Sequence, residues 1–264
     1  QLSRWLNDPT APFVNRATQG QYPTGTILGP FLYAHLSETN DLPLLPFNLT
    51  HNFEGQTLAC SRPPRTPITL ETAIEAGCPA AVVEMSRSFS VPQMRELFNA
   101  LGLFTAPDVR LDAAVPSQPD QLTSTRLAAI GKSGIKVSPL QMALAAAALT
   151  SGGTRPAARL AVSVETPHQG WVILPSASPT TVFGNSSAIS AAVNKLATGE
   201  NPIWESVTYQ QDGTAAYTWF IGGTLPQTGS APLAVAVLLE ENNPALASTI
   251  GESLLNNALQ PPTP

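Results

Sequence analysis

The chain has 264 residues, a formal net charge of −5, 43% hydrophobic residues and only 12% charged residues. This apolar, weakly charged composition excludes a disordered chain, and an acidic chain without a basic stripe excludes nucleic acid as an expected partner. The three histidines and two cysteines lack the spacing of metal ligands, so we expect no metal and no other cofactor.

Residues 1–65 are rich in Pro, Gly, Asn and Thr, which is typical of loops with one or two short helices. A longer helix is then predicted to start at Thr66-Pro67 or at Thr69 and to continue toward Val83. Capping residues and glycine stops predict further helices. One begins at Ser90 with Gln93 and ends before Gly102, and one begins at Ser138-Pro139-Leu140-Gln141 and ends at Ser151-Gly152-Gly153. Two more are predicted over Ser187–Ala197, stopped by Gly199, and over roughly Leu246–Leu259.

Strand signals concentrate in the second half, as β-branched and aromatic runs bounded by Gly, Pro or Asn. The runs are Leu160–Glu165, Trp171–Leu174, Val207–Gln211, Tyr217–Gly222 and Leu233–Glu240. The last is almost continuously apolar, which predicts a central strand covered on both faces. Helices followed by strands and a closing helix predict an α+β fold with an antiparallel sheet. We expect one domain over residues 1–264, with a helical part about 1–155 and the sheet with closing helices about 156–264.

Two features bear on the compartment. Cys60 and Cys78 either form a disulfide in an oxidising compartment or remain unpaired thiols, and the sequence leaves both readings open. The longest apolar stretch, around Leu140–Leu149, is too short to cross a bilayer. No signal peptide is recognisable, so attachment to a membrane is expected only through an anchor outside this sequence.

Three segments carry motifs that are informative in combination. They are Asn15–Pro30 (NRATQGQYPTGTILGP), Ile68–Pro79 (ITLETAIEAGCP) and Gln211–Ala215 (QDGTA), the last followed by Trp219-Phe220-Ile221-Gly222. They resemble the surroundings of the three transpeptidase motifs of penicillin-binding proteins, which are Ser-x-x-Lys, Ser-x-Asn and Lys-Thr-Gly. Val137–Ala143 and Gly152-Gly153 also resemble the family's stretch between the second and third motifs.

The resemblance covers nearly the whole chain in the same order. It implies a β-lactamase/transpeptidase-like fold, in which a helical subregion and flanking helices surround the antiparallel sheet. In the family a strand hairpin usually precedes the Asn-Arg-Ala run, but few residues precede Asn15 here. The hairpin is therefore expected to be either missing from this chain or supplied by another segment.

The first motif supplies the reacting groups in the family. Serine acyl transfer needs a hydroxyl and a nearby base, which the family provides as a serine and a lysine at i, i+3 on one helix. Here these positions are Thr26 and Gly29. Threonine keeps a hydroxyl but crowds it with a methyl group, and glycine supplies no base. Thr26 is then either a helix N-terminal cap, the reading we favour, or a nucleophile activated by a base from elsewhere.

The second and third motifs are also replaced. Gly77 and Pro79 stand where the family has its serine and asparagine, and neither side chain donates or accepts a hydrogen bond. Gln211 and Asp212 stand for the lysine and threonine of the third motif, of which only Gly213 remains. Since Asp212 repels a carboxylate, the resemblance implies a degenerate site.

Little else of the family's site remains. Thr214 and Ala215 match the family after the third motif and are expected to line a remnant groove. The backbone amides of Thr26 and Ala215 are the candidates for an oxyanion hole. Lys132 and Lys136 lie outside the motifs and are expected to be solvated.

These observations favour a catalytically inactive transpeptidase-like domain that binds or scaffolds in bacterial cell-wall (peptidoglycan) biology. We expect it to lie outside the cytoplasmic membrane, with a peptidoglycan stem peptide or a cell-wall or division protein as its partner. The rival hypothesis is a divergent penicillin-binding acyl-transferase or hydrolase that uses Thr26 as its nucleophile.

Overall fold

A computed structural model describes residues 13–109, 111–197, 202–225 and 232–260. Within these ranges the chain has nine α-helices and a 3-10 helix at Pro119–Gln121. The α-helices are α1 (Arg16–Gln19), α2 (Gly29–Thr39), α3 (Leu70–Glu75), α4 (Pro79–Ser86), α5 (Val91–Ala100), α6 (Thr125–Ala129), α7 (Pro139–Thr150), α8 (Ser186–Leu196) and α9 (Pro244–Leu259). The glycine expected to stop α8, Gly199, lies outside the described residues.

The strands form one sheet of three long strands and four short pairs in the described residues. They are β1 (Tyr22–Pro23), β2 (His51–Phe53), β3 (Gln56–Leu58), β4 (Lys136–Val137), β5 (Thr154–Arg155), β6 (Ser163–Thr166), β7 (Gly170–Ile173), β8 (Thr180–Thr181), β9 (Ile203–Asp212), β10 (Ala215–Thr224) and β11 (Ala234–Leu239). The sheet is antiparallel in the order β11-β10-β9, and the short pairs are β1-β4, β2-β3, β5-β8 and β6-β7. The chain therefore has the predicted α+β fold.

Helices cover both faces of the three-stranded sheet. On one face α9 lies so close that a Cβ on Gly251 would overlap the ring of Phe220 in β10. On the other face Trp204 of β9 donates its Nε1–H to Oγ1 of Thr150 in α7 at 3.0 Å. This layering buries Trp204, Trp219 and Phe220 completely and gives the sheet a fixed position against the helical side.

Local capping chemistry sets where the helices begin. Ser90 and Ser138 each accept a hydrogen bond from the backbone N–H at N3, and Gln93 and Gln141 accept one from the backbone of their caps. Both predicted capping boxes are therefore confirmed. Thr69 caps α3 in the same way, so of the two predicted starts the second is correct.

The prediction of one continuous helix from Thr69 toward Val83 is wrong, because the helix is interrupted in its middle. The chain forms two helices, α3 and α4, because Gly77 between them adopts a left-handed φ of 64°. Cys78 then takes the N-cap position and Pro79 the first position of α4, where proline is readily accommodated. The break creates a loop that points toward the sheet.

The sequence of the apolar strand β11 predicted a central strand. This prediction is wrong for the described sheet. It lies at the end of the strand order, paired with β10 alone. Its side chains pack alternately against the two hydrophobic clusters, so both faces are covered as expected. All six residues nevertheless stay partly exposed, because one long side of the strand has no neighbouring strand in the described part of the chain.

Three further observations concern the compartment and metals. Cys60 and Cys78 are joined by a disulfide, which decides between the two readings left open by the sequence. No helix of the described residues combines the length and the hydropathy that a bilayer crossing requires. Among the same residues, no three His, Cys, Asp or Glu side chains gather closely enough to hold a metal ion.

Candidate functional site

A groove with a volume of about 480 Å³ lies between β9 and the loops of the helical side. Thr26 lines it together with Gly77 and Pro79 from the loop between α3 and α4. Ser61 and Gln211 line it as well. The fold thus brings residues from all three motif-like segments to one place, in agreement with the resemblance.

The hydroxyl of Thr26 is buried and hydrogen-bonded. Thr26 is 6% exposed, and its Oγ1 donates to the carbonyl oxygen of Gly77 at 3.1 Å. Oγ1 of Thr26 also lies 2.6 Å from Oγ1 of Thr208, a residue that is 1% exposed. A carbonyl and a second hydroxyl are not bases at neutral pH, so neither partner removes the proton of Thr26.

The prediction that Thr26 caps a helix is wrong. α2 starts at Gly29, its N-cap is Leu28, and no side chain caps it. Thr26 lies in the preceding turn, where its carbonyl accepts the N–H of Gly29 at 3.0 Å. Its hydroxyl reaches across to β9 and to the α3–α4 loop instead of bonding its own helix, because those partners lie within reach once the sheet has packed.

The position of the family's lysine is filled by apolar side chains. Gly29 is buried, and a Cβ there would lie 3.1 Å from Cγ2 of Val82 and 3.3 Å from Cγ2 of Ile74. Any longer side chain must displace these two β-branched residues. An ammonium group at this position would be buried without a partner, which is strongly unfavourable.

The position of the second-motif serine is equally closed. A Cβ on Gly77 would overlap the carbonyl oxygen of Val207 and lie 3.0 Å from Oγ of Ser61. β9 therefore packs directly against the backbone of the α3–α4 loop, where the family needs room for a side chain. Pro79, at the first position of α4, adds no hydrogen-bond donor.

The third-motif positions lie at the far end of β9. Gln211 and Asp212 are exposed, and Gly213 with a φ of 62° forms the turn between β9 and β10. Gln211 still lines the groove, whereas Oδ2 of Asp212 bonds Nζ of Lys136 at 3.0 Å. The side chain of this strand that meets Thr26 is Thr208.

Thr208 is the site residue that the sequence analysis missed. It lies inside the run Val207–Gln211, which was interpreted only as a strand. The available signal is the alternation of Ser206, Thr208 and Gln210, which places polar side chains on one face of β9. The match of Gln211–Ala215 to the third motif drew attention to the turn instead.

The predicted remnants of an oxyanion hole do not come together. The N–H of Thr26 donates to Oγ1 of Thr208 at 3.4 Å, so it does not point freely into the groove. Ala215 pairs with Asp212 beside the turn, and Thr214 is exposed there. Neither Thr214 nor Ala215 lines the groove.

The two lysines predicted to be solvated each contact the end of β9. Nζ of Lys132 donates to the carbonyl oxygen of Gln211 at 2.9 Å. Nζ of Lys136 lies 3.0 Å from Oδ2 of Asp212, and both side chains of this pair are close to half exposed. Lys132 lines the groove, but its ammonium is engaged by a backbone carbonyl.

A charged cluster lies beside the groove. The guanidinium of Arg62 bonds Oε1 of Glu75 and Oε1 of Glu205, both at 2.5 Å, and Oγ of Ser248 at 2.9 Å. Burial raises the pKa of the Glu205 carboxyl, although Arg62 and Arg65 oppose this shift. Oε2 of Glu205 is buried without a hydrogen-bond partner. The cluster joins α3, β9 and α9 at one point.

Residues 3–188 match the protein family described as the penicillin binding protein transpeptidase domain. The chain belongs to this family. The match covers the first two motif-like segments, Asn15–Pro30 and Ile68–Pro79, and the fold just described agrees with it. The penicillin-binding protein resemblance inferred from the motifs is therefore confirmed, as is the fold class.

The chain is also similar to individual penicillin-binding proteins in sequence and in fold. The peptidoglycan D,D-transpeptidase PbpA of Mycolicibacterium smegmatis is 26% identical over 93% of this chain and 55% of its own length. The crystal structure of PbpA from Mycobacterium tuberculosis has a TM-score of 0.76 at 23% identity, over 98% of this chain and 66% of that one. Penicillin-binding protein 3 of the same organism has a TM-score of 0.77 at 14% identity, over 100% and 68%.

At these identities the solved structures establish the fold alone. The chain spans 55% of the length of PbpA from M. smegmatis, and 66% of the M. tuberculosis PbpA chain. The M. tuberculosis PbpA has also been solved as a penicillin G acyl-enzyme complex.

Proposed function

We propose that this domain is a non-catalytic member of the penicillin-binding protein family that serves as a binding or scaffolding module in peptidoglycan biology. The observation that carries the proposal is the environment of Thr26, whose hydroxyl faces a carbonyl and another hydroxyl. A hydroxyl nucleophile needs a base within hydrogen-bond reach, and neither group is one.

The surroundings of Thr26 support the same conclusion. Gly29 is packed against Val82 and Ile74, so the position of the family's lysine offers no basic group. Lys132 is the only cationic side chain among the described residues that line the groove, and it bonds the carbonyl oxygen of Gln211. One donor of this ammonium is therefore occupied, and the described lining offers no second positive charge for a substrate carboxylate.

The rival function is acyl transfer or hydrolysis with Thr26 as nucleophile. Its support is that Thr26 occupies the serine position of the family and lines the groove. Removing a triad's reacting groups leaves only weak residual catalysis, so this activity requires a base that reaches Thr26 after a rearrangement.

The setting and partners of the domain belong to the proposal as well. The disulfide Cys60–Cys78 is consistent with an oxidising, extracytoplasmic location in a bacterium. A peptidoglycan stem peptide or a cell-wall or division protein is the expected partner, since the related PbpA of M. smegmatis is named as a peptidoglycan D,D-transpeptidase.

Intact-protein mass spectrometry after incubation with excess benzylpenicillin tests the proposal. The M. tuberculosis PbpA serves as positive control, because it forms a penicillin G acyl-enzyme. We expect no adduct on folded protein, with folding verified by circular dichroism. A stoichiometric adduct that disappears in Thr26→Ala would establish the rival function and overturn the proposal.

A further inference from the structure

The outer edge of β9 is covered by groups of the same chain. In an antiparallel strand, every second residue directs its N–H and C=O to the same side. On the side of β9 that faces away from β10, the carbonyl of Val207 packs on Gly77. The N–H of Tyr209 donates to Oγ of Ser61 at 2.7 Å, and the carbonyl of Gln211 accepts from Nζ of Lys132 at 2.9 Å.

Ser61 belongs to a short segment, Cys60–Arg62, that we call the strap. The disulfide ties Cys60 to Cys78 in the loop before α4. The backbone N–H groups of Ser61 and Arg62 donate to the carbonyl oxygen of Ala76 at 3.0 and 3.3 Å. The strap is thus fixed to the α3–α4 loop by one covalent bond and two hydrogen bonds.

Arg62 fixes the other end of the strap. Its guanidinium bonds Glu75 of α3, Glu205 of β9 and Ser248 of α9. Glu75 and Glu205 are 1% and 5% exposed at their side chains, so these charge-assisted bonds are shielded from water. The strap therefore bridges the helical side, the sheet and the last helix, and Cys60 and Ser61 line the groove.

We infer that the strap is an autoinhibitory contact, in which Ser61 occupies the backbone N–H of β9 that an extended peptide in the groove requires. The inference rests on the proposed function, since it takes the groove to be a site that binds a peptide. An edge strand with free N–H and C=O groups accepts an added strand. Here Ser61 and Lys132 replace that strand, and the disulfide holds Ser61 in place.

Amide hydrogen exchange measured by NMR tests the contact directly. In the unchanged protein the amide of Tyr209 is expected to be protected, because Ser61 accepts its hydrogen bond. In Ser61→Ala we expect its exchange to accelerate about tenfold. Ser117→Ala is the matched control, since it removes a hydroxyl that accepts from the N–H of Lys136 at 2.8 Å and leaves Ser61 in place. Equal Tyr209 exchange in the unchanged protein and Ser61→Ala would overturn the inference.

A binding measurement tests the consequence. Fluorescence anisotropy with a labelled synthetic peptidoglycan stem pentapeptide is compared for the unchanged protein, Ser61→Ala and the double variant Cys60→Ser/Cys78→Ser. We expect Ser61→Ala to bind about tenfold more tightly, because about one hydrogen bond no longer has to be displaced. We expect the double variant to bind more tightly as well, because the disulfide no longer holds Ser61 in place. Unaltered binding in Ser61→Ala, together with faster Tyr209 exchange, would overturn the gating role. A penicillin adduct, by contrast, would overturn only the proposed function.

Discussion

Gly77 offers the sharpest test of how tightly the groove is closed. In Gly77→Ala the new Cβ overlaps the carbonyl oxygen of Val207 and lies 3.0 Å from Oγ of Ser61, at a φ of 64°. A left-handed backbone costs a residue with a side chain about 1–2 kcal/mol. Overlap with a backbone atom, which cannot rotate away, adds about 1–3 kcal/mol. We therefore expect the free energy of unfolding to fall by about 2–5 kcal/mol.

Gly55→Ala is the matched control for this experiment. Gly55 has a φ of 79°, and no atom lies within 4 Å of a Cβ added there. It therefore carries only the backbone cost of about 1–2 kcal/mol. Urea unfolding followed by tryptophan fluorescence, at an unchanged m-value, gives both losses. Equal losses in the two variants would refute the close packing of Gly77 against β9.

Three further predictions concern charge, covalent linkage and the filled lysine position. Gly29→Lys buries an ammonium between apolar side chains, and its free energy of unfolding is expected to fall by about 3–5 kcal/mol. Gly29→Ala should lose far less, and similar melting temperatures of the two variants would contradict the packing. The double variant Cys60→Ser/Cys78→Ser, which opens a cross-link with a sequence separation of 18 residues, should lose about 3 kcal/mol in urea unfolding, and an unchanged midpoint would contradict this. Burial raises the pKa of Glu205 above its usual 4.5, so its stabilising contribution is complete below pH 4.5 and declines as the pH rises through the folded-state value. Glu205→Gln should remove that decline from the pH dependence of the free energy of unfolding, and an identical slope in both proteins would contradict the assignment.

Local chemistry made several elements predictable from the sequence. The capping boxes at Ser90 and Ser138 depend on side chains within one turn, so residue type and spacing suffice to place them. The hairpin between β9 and β10 was predictable from two β-rich runs on either side of Gly213. In each case the determining contacts are close in sequence.

Features that depend on contacts between distant segments could not be predicted from residue type and spacing. The apolar pattern from Leu70 onward continues across Gly77 and hid the local helix-ending signal of Gly77 and Pro79, and the packing of Gly77 against Val207 is seen only in the fold. Thr26 matched a helix cap by sequence, yet its partner is Thr208, far away in the chain. β11 has the composition of a central strand, and composition does not reveal how many neighbours a strand has. The geometry of the site could therefore be described only once the fold was known.

The packing around Gly29 limits how this domain can change over evolutionary time. Gly29→Lys places a charge among Ile74 and Val82, so it loses stability. Gly77→Ser brings a Cβ against the carbonyl of Val207 and is penalised separately. Each of these substitutions is disfavoured on its own, so a chain with the family's residues at both positions is reached only through less stable single variants. Both positions therefore serve the packing between the helical side and β9.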